Sequence, residues 1–309
     1  MKTGNRAQGT GDSKDQSSPS LSPVPRPLSP GGVGGRLYVV STPIGNLGDL
    51  SPRARDVLAA VRLVLAEDTR VVRKLLNHFG VATPARSLHE HNEAREVPHL
   101  LGLLAGGAEL ALVSDAGTPL LADPGFRLVR ACRERGIPVV AVPGPSAVTA
   151  ALAVAGLPPY PFTFGGFLPP AAGARARALA ALAGLPHTLV LFLSPHRLAA
   201  ELAACAETLG AEREAALLAE LSKLHERCRI DTLAALAAWA VDESSRGEHT
   251  LVIGPPAPPE RATPTLGAAR AALAEALGRG LALPDARRAA AQALGVSRRE
   301  LYALLSGSD

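Results

Sequence analysis

Leu37-Tyr38-Val39-Val40-Ser41-Thr42-Pro43-Ile44-Gly45-Asn46-Leu47-Gly48-Asp49 is the stretch on which the reading of the fold turns. Its first four residues form a short, uninterrupted apolar run, which predicts a strand covered on both faces. The nine that follow are small, polar or turn-forming, as expected of a loop leaving a strand end. Ser51-Pro52 then supplies an N-cap and a first-turn proline for a helix to about Ala60. The unit repeats. Leu63–Ala66 reads as a strand, and Val71–Phe79 as a helix closed by Gly80. Glu93–Ala105 reads as a helix, Leu110–Val113 as a strand. Asp123-Pro124 is expected to open a helix that ends at Gly136, before a strand at Val139–Val142. Apolar strands alternating with helices predict an α/β fold with a mainly parallel sheet, helices on both faces.

A second set begins after the Pro/Gly-rich segment 156–173. Helices are expected near Arg175–Leu182, over His196–Leu209 and around Thr232–Ala240, with strands at Thr188–Leu193, Ala215–Glu220 and Thr250–Ile253. Pro255-Pro256-Ala257-Pro258-Pro259 reads as a stiff linker. Beyond it, a helix over Asp285–Leu294, a turn at Gly295-Val296-Ser297 and a second helix from Arg298 resemble a helix-turn-helix. Residues 1–35 hold seven Gly, five Pro and six Ser without apolar periodicity, which predicts a disordered tail. The expected division is therefore a tail at 1–35, α/β domains at 36–147 and 148–254, and a helical appendage at 262–305.

Composition narrows the function classes. At 309 residues, 47% apolar and 19% charged, the chain can bury more than one core, and disorder throughout is excluded. Cys132, Cys205 and Cys228 share no short spacing and are too few for a disulfide framework, which points to a reducing, cytoplasmic setting. The uncharged stretch from Gly136 to Ala174 is cut by eight prolines, so its longest proline-free piece, Ser146–Leu157, is well short of the roughly 20 residues a bilayer needs. The N-terminus lacks the layout of a secretion signal, and its acids and prolines spoil a transit helix. The net charge of +4 sits at the ends: residues 261–309 carry seven Arg against four acids, whereas residues 36–260 carry 21 basic and 22 acidic side chains. A neutral body leaves any grip on nucleic acid to a local patch or to the ends.

Ligands of open parallel sheets bind at the carboxyl ends of strands, so the post-strand loops are the candidate site. Four stand out: Ser41–Asp49, Glu67-Asp68-Thr69-Arg70, Ser114–Pro119 and Pro143-Gly144-Pro145-Ser146. Each combines turn-forming residues with polar groups, as a nucleoside-type ligand requires. No G-x-x-x-x-G-K-[ST] is present, and the glycines at 31–35 precede the first strand instead of following one, so neither a P-loop nor an ordinary dinucleotide site is expected.

Seven segments carry a resemblance: T-P-I-G-N-L (42–47), A-E-D-T-R (66–70), H-E-H-N-E (89–93), S-D-A-G-T-P (114–119), D-P-G-F (123–126), P-G-P-S-A (143–147) and G-F-L-P (166–169). Together they resemble the bacterial methyltransferases of the tetrapyrrole-methylase superfamily that add a 2′-O-methyl group to a cytidine in the decoding region of 16S ribosomal RNA. The resemblance covers about 36–254 and extends weakly to the end. It implies S-adenosyl-L-methionine (SAM) bound in a cleft between two α/β halves, RNA within the small ribosomal subunit as partner, and a homodimer. Around the cofactor it places Pro43, Ile44, Gly45, Asp115, Ala116, Thr118, Ser146 and Ala147, with Leu193, His249 and Thr250 from the second half. Leu193, Pro195 and Ala219 depart from the pattern, where relatives have Glu, Thr and Arg.

A ribose hydroxyl is a poor nucleophile until its proton is accepted, so a nearby base should accelerate transfer by about 10²–10⁴. Asp68, Glu90, His91 and Lys223 are the candidates. Glu67–Arg70 could instead be a helix N-terminus with Arg70 in solvent. His89 and His91 raise metal ligation, but no Cys or third His stands at a ligating spacing, and no metal is expected. Arg70, His89 and Asn92 are better read as RNA contacts. Arg287, Arg288, Arg298 and Arg299 could meet phosphates or be the exposed side of a packed hairpin. Arg127, Arg130, Arg133 and Arg135 read as a solvated helix face. Two rival readings are a methylase of a tetrapyrrole or other small substrate, and a helix-turn-helix DNA-binding regulator with an α/β sensing body.

Overall fold

A computed structural model describes residues 35–242, 247–257 and 264–307. The tail expected at 1–35 lies, Gly35 apart, outside the described residues, as does part of the proline linker. The described chain falls into two compact units that divide after Pro255.

The first unit opens with β1 (Leu37–Val40), α1 (Pro52–Ala60), β2 (Leu63–Ala66), α2 (Thr69–His78), β3 (Ala85–Ser87), α3 (Glu90–Ala105), β4 (Leu110–Val113), α4 (Phe126–Glu134) and β5 (Val139–Val142). The strands pair in the order β3-β2-β4-β1-β5, all parallel. Period-two alternation divides the apolar runs between two layers. Tyr38, Val40, Val64, Ala66, Ala111 and Val113 pack under α1 and α2. Leu37, Leu65, Leu110 and Leu112 pack under α3 and α4. Chain direction across the sheet reverses around β1, which places the loops after β1, β4 and β5 around one crevice.

Two helices start earlier than expected and one later. Helix α2 begins at Thr69 because the Asp68 carboxylate accepts the Arg70 N–H at 2.8 Å as its N-cap. Helix α3 begins at Glu90, where the His89 N–H donates to Asn92 Oδ1 at 2.9 Å. Helix α4 begins at Phe126, not at Asp123-Pro124. The residues before it are held in the left-handed region, with φ 76° at Leu120, 149° at Ala122 and 120° at Gly125.

The second half comprises α5 (Ala147–Val154), β6 (Phe162–Phe167), α6 (Ala172–Ala183), β7 (Thr188–Leu193), α7 (Leu198–Leu209), β8 (Glu214–Ala219), β9 (Arg227–Thr232), α8 (Leu233–Asp242) and β10 (His249–Ile253). This sheet is mixed, in the order β6-β7-β10-β8-β9. Only β6 and β7 run parallel; the other pairings are antiparallel. Three strands were not foreseen, β3 in the first sheet and β6 and β9 in this one, and all three are edges. Phe-Thr-Phe-Gly-Gly-Phe shifts register at its glycines, and Arg-Cys-Arg-Ile-Asp-Thr lies mostly in solvent, so neither needs a continuous apolar run. Helices α6, α7 and α8 cover one face, and α5 with Ile44 of the first half covers the other.

The second unit is three helices, α9 (Leu266–Gly278), α10 (Leu283–Ala293) and α11 (Arg298–Ser306), around Ala269, Ala290, Ala291 and Leu301. Between α10 and α11 the chain turns at Gly295 (φ 64°). Ser297 then caps α11, its hydroxyl accepting the Glu300 N–H while Glu300 accepts the Ser297 N–H.

Candidate active site

Three loops of the first sheet are stitched into one rigid rim. Thr42 and Gly117 exchange backbone hydrogen bonds at 2.9 and 3.1 Å, and the Thr42 hydroxyl donates to Ser114 O at 3.0 Å. Ser41 Oγ meets Thr118 Oγ1 at 3.0 Å, and Thr118 donates on to Pro145 O. Close approach demands glycine here: a Cβ on Gly144 would lie 3.0 Å from Ser41 Cβ, and one on Gly45 would lie 2.3 Å from Lys223 Cγ.

Against this rim lies a cavity of about 430 Å³, in the size range of small-molecule sites. The first half contributes Ile44, Asp115–Thr118, Leu121–Asp123 and Ser146–Val148. The second contributes Phe167, Phe192, Leu193, Pro195 and Gly247–Thr250. Most of the lining is apolar. Its charged groups are Asp115, Asp123 and Glu248, with neither Lys nor Arg among them. Burial pushes the Asp115 carboxyl up, opposed by the Asp68 N–H that its Oδ1 accepts at 3.1 Å. Burial, then the nearby charges of Glu67 and Asp115, push Asp123 up to about 6. Burial lowers His249 below the usual imidazole value, so it is neutral at pH 7. An apolar cavity with carboxylates and no cation selects a ligand with an apolar body and a positive charge, and disfavours phosphates.

Of the expected cofactor residues, Ile44, Asp115, Ala116, Thr118, Ser146, Ala147, Leu193, His249 and Thr250 line this cavity; Pro43 and Gly45 do not. None of the expected bases does. Asp68 accepts from Arg70 Nε and Nη2 as well as capping α2, and these bonds hold it down to about 2. Lys223 donates to Glu220 at 2.9 Å and Glu248 at 3.1 Å. Partial burial pulls that ammonium down, but the two carboxylates outweigh it and keep the pKa above the usual lysine value. At neutral pH neither is a competent base in this arrangement. Glu90 and His91 stand exposed on the first turn of α3.

Arg70 is exposed, whereas Asn92 spends its amide locally, accepting from His89 and donating to Ser87 O. The His89 and His91 rings lie 6.0 Å apart. Among the described residues no group of three or more His, Cys, Asp and Glu is placed to hold a metal ion. In the helical unit Arg287 lies over the Tyr302 ring and Arg288 pairs with Asp285. Arg298 and Arg299 project into solvent. Leu121, Ala122, Asp123, Val148 and Phe167 line the cavity unforeseen. The one sequence signal for Asp123 was its place in D-P-G-F, read there as a helix start.

Two five-stranded sheets with a carboxylate-lined cavity at the switch point of the parallel one define the class. Residues 36–237 match the Tetrapyrrole (Corrin/Porphyrin) Methylases, and the chain belongs to that family. It is 46% identical over 270 residues to ribosomal RNA small subunit methyltransferase I of Pseudomonas aeruginosa, covering 87% of this chain and 95% of that one. The enzyme of the same name from Mesorhizobium japonicum is 48% identical, over 74% of this chain and 77% of its own. Within the family the chain belongs with these enzymes, and it is a methyltransferase. The fold is also that of a uroporphyrin-III C-methyltransferase from Thermus thermophilus complexed with S-adenyl homocysteine. That structure aligns at TM-score 0.51 and 22% identity, over 71% of this chain and 97% of that one.

Proposed function

We propose that the chain transfers the methyl group of SAM to the 2′-hydroxyl of a cytidine ribose in the decoding region of 16S ribosomal RNA. The observation that carries this reading is the cavity itself: three carboxylates, no Lys or Arg, and apolar walls from both halves. SAM is a cation with an apolar nucleoside body, and bound there it would supply an electrophilic methyl on a sulfonium. Asp115 would face its positive charge, Ile44 and Ala116 the nucleoside, and His249-Thr250 the wall from β10. The ribosomal substrate rests on the names of the relatives and on exposed cations beside the site, Arg70 above all. Arg287, Arg288, Arg298 and Arg299 would meet phosphates, with Arg70 and His89 near the target.

The α/β body would divide into domains at about 36–147 and 148–254, act in the cytoplasm and pair as a homodimer. Exposed apolar side chains on the second half, among them Val154, Tyr160 and Ile230, are what such pairing would cover. No helix of the described residues is long and apolar enough to cross a membrane. A methylase acting on a tetrapyrrole is the less favoured reading, given relatives named for ribosomal RNA. The test is to incubate the purified chain with labelled SAM and small ribosomal subunits from cells lacking the gene, then map ribose methylation. One new 2′-O-methylcytidine is expected, and label on no RNA nucleotide would refute the reading.

A further inference from the structure

Asp68 and Lys223 are engaged by neighbouring charges, and Glu90 and His91 lie outside the cavity lining, which leaves the proton of the attacking hydroxyl without an acceptor unless the cavity holds one. Four titratable side chains line it. Asp115 is tied to the Asp68 N–H, Glu248 is paired with Lys223, and His249 is buried on β10. Asp123 alone keeps both carboxylate oxygens without a hydrogen-bond partner among the described residues. Its position is built. The loop 120–125 holds two non-glycine residues at positive φ, and a Cβ on Gly125 would come within 2.5 Å of Leu112 Cδ2. Such conformations persist only where the surroundings enforce them, and they gather at functional sites. Just beyond, the buried Glu93 accepts the Leu128 N–H at 3.1 Å and pins the start of α4.

We infer that Asp123 is the proton acceptor of the methyl transfer, a reading that rests on the ribose methyltransferase proposed above. Asp123 takes the hydroxyl proton as the oxygen–carbon bond forms and the carbon–sulfur bond breaks, the released electron pair going to sulfur. One positive and one negative charge disappear together, and the neutral acid returns its proton to water when the site opens. An unpartnered, desolvated carboxylate is the stronger base, and the pKa of about 6 leaves Asp123 ionised by about ten to one at pH 7. Glu67 and Asp115 face it from its own half. Across the cavity stand Glu248 and His249; Lys223 is held by Glu220 and Glu248, and Arg70 by Asp68.

The experiment compares wild type, D123N and D123E in single-turnover methylation of small subunits between pH 5 and 9. It adds calorimetry of S-adenosylhomocysteine binding and a carboxyl NMR titration of the wild-type chain. D123N should lower the rate at least a hundredfold and abolish the tenfold-per-unit loss of rate below pH 6. Homocysteine-product affinity should stay within threefold, D123E should restore part of the rate, and the wild-type carboxyl should titrate near 6. Transfer by D123N at the parental rate, or loss of product binding in step with rate, would overturn the assignment. Should D123N not fold, a wild-type titration below 5 or a pH-independent rate would overturn it equally. If wild type binds the product yet methylates no ribose, the ribose reading fails first and this one falls with it.

Discussion

Glu201 is fully buried on the first turn of α7, and replacing it measures how firmly one carboxylate holds a wall of the cavity. Its Oε2 accepts the Ser194 N–H at 2.8 Å and its Oε1 accepts Arg197 Nε at 2.9 Å, so it fastens the turn that carries Leu193 and Pro195. Hydrogen bonds to a charged group contribute roughly 1.5–3 kcal/mol each when one partner is removed. Glu201→Gln keeps the volume and one acceptor but turns an amide N–H₂ toward the other donor. Because Arg197 is 36% exposed, water recovers part of that bond. A loss of about 2–3 kcal/mol is expected. Arg197→Ala should cost about 3 kcal/mol, since it strands a carboxylate at zero exposure. The double variant should cost less than the sum, by about 1–2 kcal/mol. The single tryptophan, Trp239, lies on α8 against the same cluster as α7, so urea unfolding followed by its fluorescence reports on this half. Affinity for SAM should fall about tenfold, about 1.4 kcal/mol, as the turn loosens. A Glu201→Gln midpoint within about 0.5 kcal/mol of wild type, or additive single costs, would refute the reasoning.

Asp123→Asn should also change stability with pH. A carboxyl raised in the folded chain binds its proton more tightly there than in the unfolded chain, so wild type loses stability as pH rises from about 4 through 6. After discounting for solvent screening, the asparagine variant should be about 1–2 kcal/mol more stable at pH 8 and equal to wild type at pH 3, by urea midpoints. Gly125→Ala combines a φ of 120° with a Cβ 2.5 Å from Leu112 Cδ2. It should cost about 2–3 kcal/mol in thermal unfolding and displace the loop bearing Asp123. Asp115→Ala should weaken SAM binding by calorimetry with little change in unfolding midpoint, since it removes a carboxylate facing a cation. Deleting residues 261–309 should leave that affinity unchanged and flatten the salt dependence of RNA binding by about three logarithmic units per decade, as four lost phosphate contacts require. An unaltered slope would assign the four arginines to solvent.

Strands β1, β2, β4 and β5 were legible because each is a four-residue apolar run, which suits a strand covered on both faces; β3, Ala85-Arg86-Ser87 at the edge of the sheet, carries no such run. Local signals also settled Ser51 as a cap, the Gly295 turn and the Ser297 cap, each acting within a few residues. The post-strand loops were legible as a site because chain polarity in a parallel sheet gathers them at one edge. Beyond that the sequence was silent. Edge strands β6 and β9 are specified by pairing with a neighbour, and exposed edges carry no apolar run. Asp68 and Lys223 looked like free bases until the fold brought Arg70, Glu220 and Glu248 within hydrogen-bond reach. Asp123 looked like a helix start, but α4 begins only at Phe126, which leaves Asp123 in the preceding loop under the charges of Glu67 and Asp115. Local propensity acts over a turn or two, whereas a side chain's basicity depends on which distant charges and how little water surround it. That environment is decided only by the tertiary structure.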